Sequence, residues 1–74
     1  MNRTEMLDAL RADIDVLASA EEASVLGALP GWDSLAILLV VSHCEHVHDL
    51  EVRGTQVRAC RTLGELLDLI ESLS

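Results

Sequence analysis

The chain is poor in aromatic rings, in basic residues and in long apolar runs. Among its 74 residues Trp32 stands alone as a large aromatic, with no Tyr and no Phe. The apolar half is Leu, Val, Ile and Ala, which suits helix-on-helix packing better than a small barrel. Lysine is absent; five arginines face thirteen acids, for a formal net charge of −8. Nucleic acid and anionic membrane attract the opposite sign, so neither is an expected partner. The longest apolar run, Leu35 to Val41, is far short of the roughly 20 residues that a membrane-spanning helix needs. Two cysteines, Cys44 and Cys60, provide neither metal-finger spacing nor a dense disulfide framework. Both are expected to be reduced thiols in core positions. The polar, acidic opening from Met1 to Asp13 does not read as a signal peptide, so a cytoplasmic location is expected.

Residues 1–74 form one expected domain. A chain this short buries only about 60% of the surface its unfolded form exposes. Its core is therefore thin, which argues against an enzyme with a deep private active site. The acidity is spread along the chain: five net negative charges lie in residues 1–33 and three in residues 34–74. No block of like charge reads as a disordered tail, and there are no repeats or low-complexity segments.

The hydrophobic pattern predicts an all-α fold, a small four-helix bundle with three main helices, one short one, and a long loop between the first two. Leu7, Leu10, Ile14 and Leu17 repeat at helical spacing and predict a first helix over Thr4 to Leu17, capped by Thr4 or Asn2. Pro30 and Gly31 break any helix before them. Val25, Leu26 and Leu29 are expected to dip into the core, which makes Ala18 to Asp33 an ordered loop. Read alone, Leu35 to Val41 suits a buried strand as well as a helix. The start signal Asp33-Ser34 and the shortage of strand partners favour helix. On that helix Ile37, Val40, Val41, Cys44 and His48 share a core face, while Leu35, Leu39, Ser42 and His46 share the opposite one. A short helix is expected around Thr55 to Cys60. Thr62 with Glu65 forms a capping box for the last helix, whose stripe is Leu63, Leu66, Leu67, Ile70 and Leu73.

The stretch that carries chemistry is Gly31-Trp32-Asp33-Ser34-Leu35. Ser34 lies at the mouth of a helix, where unpaired N–H groups and the macrodipole favour negative charge. A phosphate ester on its hydroxyl would be well placed there. The plain alternative is that Asp33 and Ser34 merely cap the helix.

In its order of elements the chain resembles the acyl carrier protein family, the phosphopantetheine-binding domains. The resemblance covers nearly the whole chain: a first helix, a long loop, Asp33-Ser34-Leu35 opening the second helix, the exit Asp49-Leu50-Glu51, a short third helix and a Thr62-capped fourth. It implies that Ser34 carries 4′-phosphopantetheine, installed from coenzyme A by a phosphopantetheinyl transferase that uses Mg²⁺. It implies a carrier that catalyses nothing itself and presents acyl or aminoacyl thioesters to acyl-activating and acyl-transferring enzymes. Asp33 matches the family's acid beside the serine and would face the transferase; Leu35 matches its docking leucine. Fatty-acid, polyketide, peptide and polysaccharide pathways all stay open. The family's second helix is often lined with acids, whereas Ala36, Leu39, His46 and Val47 stand at such positions here. Partner recognition is therefore expected to rest on Leu35, Leu38 and Leu39, unless the loop or Trp32 covers Leu39. His48 stands where a core aromatic is common, and Arg58 and Arg61 make the third helix more basic than usual. The chain's own Met1 and its lack of flanking linkers suggest a discrete carrier, and a monomer is expected.

Other readings are weaker. His43, Cys44, His46 and His48 invite a metal site, but on one helix Cys44 and His48 share a face while His43 and His46 point away, so four ligands do not converge. No histidine neighbours Ser34 in the sequence, and no nucleophile elbow is present, which removes a hydrolase pair. Trp32 is either a partner contact or a lid on the helix start. The alternative from another class is an unmodified helical interaction module that uses the Leu35/Leu39 face.

Overall fold

A computed structural model describes residues 1–74 in full. It is the expected all-α bundle: α1 (Arg3–Asp13), α2 (Ser34–His48), the short α3 (Gly54–Ala59) and α4 (Leu63–Leu73), with 3-10 turns at Asp15–Leu17 and Leu26–Ala28. Met6, Leu10, Leu17, Leu26, Val40, Val57, Leu63, Leu66, Leu67 and Ile70 meet in one core. No helix is long and apolar enough to cross a membrane.

Three helix starts follow from local chemistry. At α1 the cap is Asn2, not Thr4: its side chain accepts from the Glu5 N–H at 2.9 Å while Glu5 Oε1 accepts from the Asn2 N–H at 3.0 Å. Thr62 and Glu65 exchange the same pair of bonds at α4. The Arg61 N–H also donates to Glu65 Oε2, at 2.7 Å, and the backbone bonds from Thr62 and Arg61 hold the Glu65 carboxyl below its usual range. At α2 the cap is Asp33, whose Oδ1 accepts from the Ala36 N–H at 3.0 Å. Each bond satisfies a donor that the first helical turn leaves without a partner.

The first helix is shorter than its apolar stripe suggests. It ends at Asp13, where Ile14 turns extended, and the 3-10 turn then carries Leu17 back into the core. Asp13 and Asp15 oppose the negative end of a helix dipole, which disfavours further helical turns there. The 3-10 turn keeps the stripe buried, so periodicity alone does not reveal the break.

The long loop is ordered by the start of α4. Leu26 N–H donates to Arg61 O at 2.8 Å, while Leu63 and Gly64 N–H donate back to Ser24 O at 3.1 Å and Glu22 O at 2.9 Å. The loop therefore satisfies the early donors of α4. A Cβ at residue 64 would come within 3.1 Å of the Glu22 carbonyl oxygen, a tight contact that Gly64 avoids. Leu26 is fully buried and Leu29 partly so, but Val25, expected in the core, is 40% exposed, bridging to Thr62 at the surface instead.

Arg3 fastens the same end. Its guanidinium donates to Glu22 at 2.9 Å, to Asp68 at 2.8 Å, to the Gly64 carbonyl at 2.9 Å, and to Glu71. One arginine thus joins α1, the loop and α4, and its carboxylate partners hold its proton above the ordinary arginine range.

Candidate functional site

The turn before α2 sets the position of the site. Leu29-Pro30-Gly31-Trp32 closes with Trp32 N–H donating to Leu29 O at 3.2 Å, and Gly31 has φ +84°. Proline followed by a left-handed glycine is a type II turn, and the positive φ needs that glycine. Trp32 is half-buried against the core. Asp33 then caps, and Ser34 is the first residue of α2 with an exposed side chain.

Ser34 has one side-chain partner. Arg58 Nη2, on α3, donates to Ser34 Oγ at 3.1 Å. Val57, next to Arg58, is fully buried, and the Gly54 end of α3 lies against Ile37 of α2. Packing therefore holds the backbone of α3 where the exposed Arg58 side chain reaches the serine. The sequence marks Arg58 only as an unexpected base; its pairing with a residue 24 positions away depends on how α3 docks.

The remaining candidates on α2 divide by face. Leu35 is 63% exposed, Leu38 62% and Leu39 46%, so neither the loop nor Trp32 covers them. Val47 is exposed nearby. Ala36, expected at an outward position, is buried. His43 is the larger correction: expected away from the core face, it is 3% exposed and bonds through Nδ1 to Asp13 Oδ2 at 2.6 Å. The buried arc of α2 extends beyond Ile37, Val40 and Cys44 to Ala36 and His43, because the end of α1 packs along that side. A carboxylate only accepts, so Nδ1 donates, and Nε2 is left buried without a partner.

His48 is half-buried with its Nε2 also unpartnered, and its ring lies edge-on to that of His43 with centroids 5.6 Å apart. Burial first, then His43 and the terminal amine of Met1, push its proton affinity down. A helix C-terminus favours a positive charge, and at His48 desolvation outweighs that preference. Burial also pushes the Cys44 thiol up to about 11, and raises that of Cys60, whose Sγ donates to Gln56 O at 3.4 Å. Both thiols are free and act as packing groups.

No three His, Cys, Asp or Glu side chains are placed to hold a metal ion together. A shallow cavity of about 400 Å³ lies beside His43, lined by Asp13, Ile14, Leu39, Ser42 and Val47 among others. A second, of about 430 Å³, lies at Glu45, Asp49, Leu50 and Glu51. Neither includes Ser34 or Arg58, so the serine stands on an open surface. The Ser34 hydroxyl is thus exposed, with a cation against it and no cleft around it.

No family model, curated protein or solved structure matches this chain.

Proposed function

We propose that the chain is a carrier protein that holds acyl or aminoacyl groups on a 4′-phosphopantetheine arm attached to Ser34. The observation that carries the reading is the Ser34 hydroxyl itself: exposed, at the first position of α2, and touched by the Arg58 guanidinium at 3.1 Å. These residues fit a phosphate ester. The N-terminal end of α2 favours negative charge, the guanidinium supplies a full positive one, and the exposed position leaves the ester room. Asp33 opposes that charge, but its Oδ1 is engaged by the Ala36 N–H.

Attachment would join Ser34 Oγ to the phosphorus that bears the pantetheine in coenzyme A. The pyrophosphate P–O bond breaks, adenosine 3′,5′-bisphosphate leaves, and the hydroxyl proton passes to a base of the transferase or to solvent. The arm ends in a thiol that holds cargo as a thioester, readily attacked at its carbonyl. This chain's part is presentation, with the reactions belonging to its partner enzymes. Asp33 would face the transferase, while Leu35, Leu38, Leu39 and Trp32 would meet partners through apolar contact. The chain acts as a monomer in this reading, with neither nucleic acid nor membrane among its partners.

A second reading draws on the exposed Leu35, Leu38 and Leu39: an unmodified interaction module that pairs through this face. Two measurements separate them. After incubation with coenzyme A, Mg²⁺ and a broad-specificity phosphopantetheinyl transferase, the carrier reading expects one phosphopantetheine per chain by intact mass, lost in Ser34→Ala. The interaction module expects no added mass, and an oligomer in light scattering that Leu39→Glu dissociates.

A further inference from the structure

Arg58 differs from Arg3 in what it meets. Arg3 meets three carboxylates. Arg58, like Arg11, Arg53 and Arg61, meets no carboxylate; alone among the arginines it donates to a side-chain hydroxyl. A guanidinium is a planar fork of five donors suited to two oxygens of one anion, and a hydroxyl engages only one of them. The contact is an incomplete match for the cation. Esterification of Ser34 would complete it, by placing two unesterified phosphate oxygens beside a guanidinium already in reach.

We infer that Arg58 is the positioning residue for the phosphate of a group esterified on Ser34, gripping its free oxygens and fixing the root of the arm against α3. The inference rests on the carrier reading and adds to it a specific holder on a different helix. Three features carry it. The Arg58–Ser34 contact exists before any ester is formed. Buried Val57 and the seat of Gly54 against Ile37 keep the α3 backbone in place, so the grip needs no movement of the helix. Asp33 adjoins the serine, and a phosphodiester next to a carboxylate places two negative charges side by side; Arg58 supplies the compensating charge. The consequence is directional: the arm leaves Ser34 from a fixed phosphate, so its tip samples the surface about the α2–α3 end before the rest of the molecule.

The test uses wild-type, Arg58→Gln and Arg58→Lys protein, each loaded by the transferase, checked by intact mass, and compared by circular dichroism. Phosphorus NMR of the loaded wild type is expected to show a resonance displaced by more than its linewidth from that of Arg58→Gln. The Arg58 Nε–H signal should shift on loading, 1 M salt should move the wild-type phosphorus signal toward that of the variant, and Arg58→Lys should lie between. Loading of both proteins with coincident phosphorus resonances would overturn the role of Arg58 and leave the carrier reading standing. Absence of added mass on every protein would overturn both.

Discussion

The two ends of this bundle use their charged residues in different ways. At the α1–α4 end, Arg3 is surrounded by Glu22, Asp68, Glu71 and the Gly64 carbonyl. The loop and α4 also exchange backbone bonds there. At the α2–α3 end, Arg58 holds only a hydroxyl, and three leucines lie open to solvent. The first end is internally satisfied. The second keeps a cation and an apolar face uncommitted, and that is where the only exposed hydroxyl with a cationic partner is found.

Substitutions sharpen that contrast. Leu67 is fully buried in α4, so Leu67→Ala should cost about 2–5 kcal/mol of unfolding free energy. That is a large share of what so small a domain holds, and urea or thermal unfolding would measure it. Leu38→Gln, on the exposed face, should change stability by no more than about 0.5 kcal/mol. Equal losses at the two sites would mean that the open face is structural, and the comparison would break.

A smaller effect comes from the pH dependence of His48. Its folded-state proton affinity is lowered, by burial first, so the unfolded chain binds that proton at higher pH. The stability linked to neutral His48 is therefore present above its unfolded value of about 6.5 and is lost as the pH falls through it. His48→Gln should flatten the stability profile between about pH 7 and 5 relative to wild type. A profile unchanged by the substitution would show that the ring is solvated like a free imidazole.

Much of this arrangement is legible in the sequence because helix starts are local. Asp33-Ser34 and Thr62 with Glu65 each satisfy donors within three residues, so the bonds that define them lie within one window. The all-α class follows likewise from periodic leucines and the shortage of strand partners. What depends on docking is not legible. Arg58 reaches a serine 24 residues away, and His43 an aspartate 30 residues away. The spacing of Ala36, Val40 and His43 does hint that the buried arc extends that far, since the three recur at helical intervals. The end of α1 at Asp13 is hidden for another reason: the 3-10 turn that follows preserves the apolar stripe through a change of helix type.

The central claim is the esterification of one hydroxyl, and intact mass spectrometry after transferase treatment tests it most directly. The account predicts a single phosphopantetheine on the wild-type chain and on Arg58→Gln, with none on Ser34→Ala. An unmodified wild-type mass with several transferases, or an adduct that persists when residue 34 is alanine, would contradict it.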